Sequence, residues 1–282
     1  MGLRHARAER SAARPVGEDG TSDALLVTNG ATPGRVLKRP RVTAVIPALN
    51  EAESLPHVLH RLGRLVDEVI LVDGLSDDGT PDVARRVRPD VRIICEPTRG
   101  KGVALRTGFA AATGDIIVML DADGSTDPRE IPGFVGLLLA GADFVKGSRF
   151  LQGAGTSDMP FIRRFGNRVF VILVRTLYGG RYTDLCYGYG AFWADTLTKL
   201  ELNGDGFEIE TMMNIRALRA GLRVVEAPSF EYSRLHGEAK LKTIPDGWRV
   251  LKTIIRERVR QLAVPVLAPL SESRADKLPL EP

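Results

Sequence analysis

Two aspartates, Asp121 and Asp123, directly follow an apolar run and are themselves followed by a glycine. The run at residues 116–120 is typical of a strand that is buried on both faces. Residues i and i+2 of an extended chain point the same way, so both carboxylates face one spot if the extended path continues through Ala122. Two carboxylates suit Mg²⁺ or Mn²⁺, which bind one or two acids together with substrate phosphates. The same pair could instead cap the next helix or shape a turn.

The composition is that of an ordinary globular chain. Its 282 residues are 44% hydrophobic and 26% charged, which is enough to build one large α/β domain or two modest ones. The net charge of +4 favours anionic ligands such as nucleotides, phosphates or a membrane surface. Basic residues do not alternate with aromatic ones, so we expect no nucleic-acid partner. The two cysteines provide no disulfide framework and predict reduced thiols in a cytoplasmic protein.

Both ends of the chain lack the periodicity of a folded domain. Residues 1–40 are rich in Arg, Ala, Gly, Ser and Thr, which predicts a disordered basic arm, and residues 263–282 are predicted to be a flexible tail. The N-terminal region has no apolar core of about 7–15 residues, so we expect no secretory signal. No run approaches about 18 apolar residues, so we expect no transmembrane helix. The expected location is the cytoplasm, with peripheral contact at the inner face of the membrane left open.

Strand and helix patterns alternate between residues 42 and 146. Such alternation predicts parallel strands joined by right-handed crossovers, and hence a doubly wound sheet. Ligands of these sheets bind beyond the carboxyl ends of the strands. Polar loops at residues 47–51, 73–78 and 121–125 follow such ends. We therefore expect the three loops to converge on one crevice.

The second half of the chain is less regular. Helices are predicted at residues 163–178 and 248–262, and each is apolar on one side and basic on the other. Such helices either lie on an anionic membrane or pack on a core with a solvated basic face, and the pattern leaves both open. A further helix begins near Glu208 and Glu210, two acids that also suit the positive end of a helix dipole.

Short motifs along the chain occur in the order found in one enzyme family. They lie at residues 45–51, 72–80, 99–102, 121–125, 147–149, 183–184, 206–210 and 234–240. Together they closely resemble the inverting family 2 glycosyltransferases, above all the dolichyl/polyprenyl-phosphate mannose synthase branch. The resemblance implies an α/β fold of the GT-A type, with a Rossmann-like, doubly wound, mostly parallel sheet and a mixed second half. It implies one domain at 41–262, with a nucleotide-binding half at 41–150 and an acceptor half at 151–262.

The resemblance also implies a reaction. A metal-dependent inverting glycosyltransferase, with Mg²⁺ or Mn²⁺ as cofactor, would move a hexose from a nucleotide diphosphate sugar to polyprenyl (dolichyl-type) phosphate. Two alternatives stay open: a soluble glycosyltransferase acting on a hydroxyl of a small molecule or cell-wall glycan, and a non-catalytic nucleotide-sugar-binding protein. A hydroxyl acceptor needs a general base, whereas a phosphate monoester is already an anion at neutral pH. The oligomeric state is not indicated.

Positions that match the family's motifs take roles from the resemblance. The expected nucleotide-sugar contacts are Pro47, Leu49, Glu51, Asp73, Asp121, Ala122, Arg149 and Lys240. The expected metal ligands are Asp121 and Asp123, with Ser125 and His236 as candidates to complete the coordination. The expected catalytic residues are Asp184, Glu210 and Arg234, the two acids to orient the acceptor or act as base and the arginine to close over the phosphates.

Two positions depart from the family's pattern. Ser125 stands where the synthases often have a Gln that binds the metal, and Ala239 replaces the Ser of a late Gly-x-Ser-Lys motif. The third metal ligand is therefore open, and His236 is either that ligand or a surface histidine. A metal and cationic side chains would neutralise the leaving diphosphate. Lys101, in a glycine-rich loop before a helix, either meets phosphate or is simply exposed.

Overall fold

The computed structural model describes residues 39–157, 159–237 and 240–263. Apart from Arg39, these residues belong to the compact unit Pro40–Glu281. The predicted arm at 1–40 lies outside the described residues except for its last two positions. The predicted tail at 263–282 lies outside them except for its first. Both remain predictions, as do the domain boundaries.

Strands and helices alternate through the first half, as predicted. The strands are β1 Val42–Ala48, β2 Glu68–Asp73, β3 Arg92–Cys95, β4 Ile116–Met119 and β5 Phe144–Ser148. The helices are α1 Leu55–Arg61, α2 Thr80–Val87, α3 Lys101–Ala111 and α4 Ile131–Leu139. A 3₁₀ turn at Pro128–Glu130 leads into α4, and the Asp127 carboxylate caps it by accepting a hydrogen bond from the Arg129 N–H.

The second half adds short strands and two long helices. Its strands are β6 Gly155–Thr156, β7 Gly190–Trp193, β8 Val224–Pro228 and β9 Phe230–Glu231. Its helices are α5 Phe161–Tyr178, α6 Leu197–Leu200, α7 Glu208–Arg219 and α8 Thr243–Ala263. The strands β6 and β9 pair with each other in parallel and form a small sheet of their own.

Among the described residues, seven strands form one sheet in the order β3-β2-β1-β4-β7-β5-β8. All neighbours are parallel except β7, which runs antiparallel to both β4 and β5. This arrangement confirms the mostly parallel α/β sheet with a mixed second half. Because β7 is antiparallel, its first residue, Gly190, pairs with Met119, the last residue of β4. The chain entering β7 therefore lies beside the two aspartates.

Helices cover both faces of the sheet. Leu55 of α1 and Phe134 of α4 belong to the core on one face, and Phe109 of α3 and Met213 of α7 belong to the core on the other. A third apolar cluster includes Val174 of α5, Ile215 of α7 and Ile254 of α8. Full burial of such a side chain stabilises the fold by about 1.5–3 kcal/mol. These clusters hold the strand ends, and the loops that follow them, in fixed positions.

The helices α5 and α8 bury one face and expose another that is also apolar. Ile254 is fully buried, whereas Trp248 is 57% exposed and Ile255 is 54% exposed. The sequence pattern predicted a single apolar side for this helix, which is wrong: its apolar residues divide between a buried side and an exposed one. Apolar side chains exposed on the two helices are Phe161, Ile162, Phe165, Val169, Ile172, Ile244, Trp248, Ile255 and Val259. None of the helices in the described part of the chain is both long and apolar enough to cross a membrane.

Candidate functional site

A cavity of about 550 Å³ opens beyond the carboxyl ends of β1 and β4. It brings together residues from both halves of the chain. The expected site residues that line it are Pro47, Leu49, Glu51, Asp121, Ala122, Asp123, Ser125, Arg149, Glu210, Arg234 and Lys240. Asp73, Asp184 and His236 lie outside its lining. The loops therefore converge at the strand ends as expected, but Asp73, Asp184 and His236 have other surroundings, which are described below.

The two aspartates reach the cavity through a turn. The strand β4 ends at Met119, and the chain turns at residues 122–123, so the extended path expected through Ala122 does not occur. Gly124 adopts a left-handed φ of +77°, which favours glycine. The Asp123 Oδ1 atom accepts a hydrogen bond from the Ser125 N–H at 2.9 Å. Asp123 thus shapes its own turn, while the cap of the following 3₁₀ turn is supplied by Asp127.

Lys101 links Asp121 to the second half of the chain. Its Nζ lies 2.6 Å from Asp121 Oδ1 and 2.7 Å from Glu210 Oε1. The lysine side chain is only 12% exposed. Burial disfavours the charged amine, but the attraction of the two carboxylates outweighs it and raises the pKa of Lys101. Lys101 is therefore neither an exposed lysine nor a free phosphate contact; it joins the end of β4 to the start of α7.

Glycines allow the backbone to approach this lysine closely. A Cβ atom on Gly188 would lie 2.5 Å from both Lys101 Nζ and Glu210 Oε1. A Cβ atom on Gly102 would lie 2.4 Å from the carbonyl oxygen of Gly204, and the Gly102 N–H donates to Asp205 O at 2.9 Å. Because Gly102 and Gly188 have no Cβ atom, the start of α3 can approach residues 204–205 and the chain entering β7 can approach the Lys101 ammonium.

The pKa of Asp121 reports the balance of charge in the cavity. Burial and the neighbouring carboxylates of Asp123 and Glu210 raise the pKa of Asp121 to about 6, against the opposing attraction of Lys101. The net effect is upward although a lysine lies 2.6 Å away. Burial is the largest of these contributions, and the attraction of Lys101 does not fully offset it.

Arg234 and Lys240 close the cavity from the late part of the chain. Arg234 bridges two acids, with Nη1 2.7 Å from Glu51 Oε1 and Nη2 2.9 Å from Asp123 Oδ2. Lys240 Nζ lies 2.7 Å from the same Glu51 oxygen. The Leu235 N–H donates to Asp123 O at 3.2 Å, which fixes the segment against the aspartate loop. The two cations of the late motif therefore lie against Glu51 and Asp123; their expected role of closing over the phosphates stays a prediction.

Asp184 contacts Arg149 instead of facing the cavity. It is fully buried, and its two oxygens lie 2.7 Å and 2.9 Å from Arg149 Nε and Nη2. Burial opposes its ionisation, but Lys146 and Arg149 outweigh burial and hold the pKa of Asp184 below its usual range. Arg149 also pairs with Glu231 at 3.0 Å. In this geometry Asp184 can orient Arg149 but cannot reach a substrate proton.

His236 and Asp73 have surroundings of their own. His236 Nδ1 lies 3.4 Å from the Glu53 carboxylate at the surface. Asp73 is buried; its Oδ2 accepts a hydrogen bond from the Ser76 N–H at 3.1 Å, and its Oδ1 is buried without a partner among the residues that the structure describes. An unsatisfied buried carboxylate oxygen is costly, and a ligand hydroxyl or N–H would satisfy it. The ligand contact of Asp73 stays a prediction, and His236 lies at the surface.

A divalent cation fits the donor set at this end of the cavity. The acids are Glu51, Asp121, Asp123 and Glu210, and the cations are Lys101, Arg234 and Lys240. Carboxylate oxygens are the ligands that Mg²⁺ and Mn²⁺ prefer. Within the described ranges, no group of three or more His, Cys, Asp or Glu side chains is placed to hold a metal ion by itself. The protein would thus supply a few oxygen ligands, and phosphates and water would supply the others.

Two residues of the site were not assigned from the sequence. Lys101 lies in the motif at residues 99–102, but its two carboxylate partners are 20 and 109 residues away in the chain, so the motif does not predict the pairing. Glu231 belongs to no motif; it reaches the cavity because β9 pairs with β6, and its Oε2 accepts a hydrogen bond from Thr156 at 2.6 Å. Long-range pairing, which local pattern does not report, places both residues.

Comparisons with known proteins agree with this geometry. The family model described as "Glycosyl transferase family 2" matches residues 43–199. An undecaprenyl-phosphate mannosyltransferase of Micrococcus luteus is 36% identical, over 71% of this chain and 87% of that protein. A dolichyl-phosphate hexose transferase of Haloferax volcanii is 32% identical, over 78% of this chain and 96% of that protein.

A solved structure shares the fold. Glucosyl-3-phosphoglycerate synthase of Mycobacterium tuberculosis, in complex with Mn²⁺, UDP-glucose and phosphoglyceric acid, superposes with a TM-score of 0.64. It is 26% identical, and the match covers 81% of each chain. The predicted GT-A fold is thereby confirmed. The matched family model, the two relatives and the sheet carrying the aspartate loop together lead to one conclusion: this chain belongs to glycosyl transferase family 2 and is a glycosyltransferase.

Proposed function

We propose that this chain is a metal-dependent, inverting hexosyltransferase that takes its sugar from a nucleotide diphosphate donor and delivers it to polyprenyl phosphate. The two relatives are named for undecaprenyl phosphate and dolichyl phosphate. The synthase with the same fold was solved with Mn²⁺ and UDP-glucose. These names and ligands belong to other proteins, but they agree with the polar and apolar ends of the cavity in this one.

One observation carries the proposal: the cavity that contains the two aspartates continues into an apolar groove between α5 and α8. Its apolar lining comprises Met159, Ile162, Phe165, Phe170, Ile244 and Val250. A diphosphate and a metal suit the polar end, and the first prenyl units of a lipid acceptor suit the apolar end. A small polar acceptor would leave this apolar lining without a partner.

The acids on the acceptor side also favour a phosphate acceptor. Glu210 pairs with Lys101 at 2.7 Å, Glu231 pairs with Arg149 at 3.0 Å, and Asp246 pairs with Arg249 at 3.1 Å. A carboxylate whose oxygen is held by a cation is poorly placed to take a proton from an acceptor hydroxyl. A phosphate monoester is an anion at neutral pH and needs no base. We therefore give Glu210 and Asp184 positioning roles.

The nucleotide diphosphate sugar would occupy the end of the cavity at β1 and β2. Pro47 and Leu49 line the nucleoside side. Asp73 lies outside the lining, but its buried Oδ1 atom has no hydrogen-bond partner among the described residues, which keeps it a candidate contact for ribose or base. Asp121 and Asp123 would hold the metal, whose bound charge would neutralise the diphosphate. Ser125 remains a candidate ligand because it lines the cavity; His236, which lies on Glu53, receives no role.

The reaction requires one bond to form as another breaks. An oxygen of the acceptor phosphate attacks the anomeric carbon from the face opposite the diphosphate. The bond from that carbon to the diphosphate oxygen breaks, and the nucleoside diphosphate leaves with the electron pair, so the configuration inverts. Arg234 and Lys240 lie where they can share their charge with the departing phosphates. Arg149, oriented by Asp184, faces the cavity from the acceptor half.

The same proposal includes peripheral contact with the cytoplasmic face of the membrane. The exposed apolar residues of α5 recur at helical spacing, at Phe161, Phe165, Val169 and Ile172. Exposed arginines, including Arg164, lie around them. A helix with an exposed apolar stripe and basic flanks binds at an anionic bilayer surface. The groove would then open towards the lipid that carries the acceptor.

The test is a transfer assay with a panel of radiolabelled nucleotide sugars, Mn²⁺ and either polyprenyl phosphate or water-soluble acceptors. We expect butanol-extractable label from at least one donor, and loss of that label in Asp123→Asn. Asp82→Asn, on α2 with a side chain that is 77% exposed, is the matched control and should keep the activity. Label found only in water-soluble products would reject the lipid phosphate in favour of a hydroxyl acceptor.

A further inference from the structure

A second cavity lies between the start of α3 and the exposed side of α8; it shares Arg99 and Gly100 with the first cavity but contains neither aspartate. Its volume is about 360 Å³. It is lined by Arg99, Gly100, Asn203, Gly204, Asp205, Gly206, Glu208, Met212, Arg249, Lys252, Thr253 and Arg256. We call this the basic cleft. The sugar-transfer chemistry proposed above uses none of its side chains.

Three basic residues of α8 line the basic cleft together. Arg249, Lys252 and Arg256 are spaced at i, i+3 and i+7, so they share one face of the helix. Arg249 pairs with Asp246 at 3.1 Å. Among the described residues, no carboxylate lies within 4 Å of Lys252 or Arg256, which therefore remain available for an external anion.

The two acids of the basic cleft differ: Asp205 is paired with an arginine, whereas Glu208 Oε2 is buried without a hydrogen-bond partner among the described residues. Asp205 Oδ1 lies 2.6 Å from Arg106 Nη2. Glu208 Oε1 accepts hydrogen bonds from the N–H groups of Asp205 and Gly206, at 3.1 Å and 2.9 Å. Arg99 adds a fourth cation from the loop before α3. The charge left for a ligand is positive, which favours a phosphate group.

The basic cleft adjoins an apolar surface of the same helix. Trp248, Ile255 and Val259 are each more than half exposed. Lys252 Nζ lies 5.7 Å from the centroid of the Trp248 ring. A tryptophan beside basic side chains is the arrangement expected at the level of lipid head groups. Phosphate and hydrocarbon are therefore both accommodated along one side of α8.

The helix that carries these groups is held firmly in place. Glu257 is fully buried, with its two oxygens 2.7 Å from Arg216 Nη2 and 2.6 Å from Arg219 Nη1 of α7. Arg216 Nη2 also donates to Asn203 Oδ1 at 2.9 Å, and Asn203 lines the basic cleft. Arg216 thus links Asn203, on the opposite wall of the cleft, to Glu257, the buried acid of α8.

We propose that the basic cleft binds the phosphate head group of an anionic membrane phospholipid, with Lys252 and Arg256 as its principal contacts. This inference rests on the proposed function because it assumes that α8 lies at a bilayer. It adds a head-group site that is distinct from the acceptor groove. A lipid bound there would orient the opening of the groove between α5 and α8 towards the membrane.

The test measures binding of the full chain to vesicles of phosphatidylcholine alone or mixed with phosphatidylglycerol. We expect the wild-type protein to prefer the mixed vesicles, and Lys252→Glu/Arg256→Glu to weaken that binding by at least about tenfold. The matched control is Arg164→Glu/Arg168→Glu, which makes the same change of charge on α5. If the basic cleft binds the head group, the α8 variant should lose clearly more vesicle binding than the α5 variant.

Three results would overturn the head-group site. The first is an equal loss of vesicle binding in the two variants, which would indicate diffuse attraction. The second is that the wild-type protein does not prefer the mixed vesicles. The third is binding of inorganic phosphate in the basic cleft without binding to vesicles. Transfer to polyprenyl phosphate in detergent is measured in parallel, and we expect the α8 variant to retain it. Loss of vesicle binding with intact transfer therefore separates this site from the catalytic proposal.

Discussion

The ammonium group of Lys101 lies 2.7 Å from the carboxylate of Glu210, although 109 residues separate the two in the chain. The same ammonium contacts Asp121 at 2.6 Å. One buried cation thus joins the proposed donor side of the cavity to its acceptor side. The relationship explains why α7 begins at the site and why the chain entering β7 has a glycine there.

Replacing Lys101 by methionine should destabilise the protein and abolish most of its activity. The change leaves Asp121 and Glu210 in the cavity without their cation, and breaking a buried pair in this way costs about 3–5 kcal/mol. Urea unfolding measures the loss of stability. Arg85→Met removes an ion pair whose partners are 61% and 77% exposed, so it should cost only about 0–1 kcal/mol. Equal effects of the two variants would show that the Lys101 bridge is unimportant.

Gly188→Ala should retain the fold but lose activity. The new Cβ would lie 2.5 Å from Lys101 Nζ and from Glu210 Oε1, so the ends of these flexible side chains must move and the bridge must open. We therefore expect a small decrease in the midpoint of thermal unfolding and a much larger decrease in transfer activity. Gly136→Ala in α4, where the new Cβ meets nothing within 4 Å, should stabilise the helix by about 0.5–1 kcal/mol and leave activity intact.

Arg234→Met should strengthen binding of the metal alone and weaken binding of the nucleotide. In the wild-type protein the guanidinium lies 2.9 Å from Asp123 Oδ2 and competes with a cation for that carboxylate. Its removal leaves the oxygen available, while a nucleoside diphosphate loses a phosphate contact. Titration of Mn²⁺ by electron paramagnetic resonance, with and without UDP or GDP, measures both effects. Weaker binding of Mn²⁺ alone would contradict the competition.

Asp184→Asn should destabilise the protein at neutral pH. The difference in unfolding free energy between variant and wild type should become smaller in acid. The pKa of Asp184 is lower in the folded protein than in the unfolded chain, so its ionised form stabilises the fold above the unfolded pKa of about 4. That contribution disappears as the pH falls through the lower, folded pKa. Urea unfolding between pH 7 and pH 3 should show a difference that narrows on acidification. A difference independent of pH would rule out the ion pair as its source.

The position of the site could be predicted because the order of strands and helices determines it. Alternation at residues 42–146 implied parallel strands, and parallel strands bring loops such as 121–125 to one edge. The direction of β7 could not be predicted, because Gly190–Trp193 is a strand pattern in either direction. Its antiparallel insertion between β4 and β5 depends on partners more than forty residues away.

Individual contacts were less predictable than the site. Asp184 matched an acceptor-side motif, but only the folded chain brings it to Arg149, 35 residues earlier. Ile254 matched the apolar side of α8 and proved to be fully buried, because the helix packs on α5 and α7 and leaves a different stripe exposed. Helical periodicity predicts that part of a helix is apolar, but it does not decide which of the apolar residues meet the neighbouring helices.

The most direct test of the proposed function is the chemical identity of the product made from polyprenyl phosphate. Phosphorus NMR and mass spectrometry of the purified lipid should show a phosphodiester that carries one hexosyl group, with the anomeric configuration inverted from that of the donor. Asp123→Asn should form none of it. A lipid that remains a phosphate monoester, while the sugar appears on a hydroxyl of a water-soluble acceptor, would contradict the account.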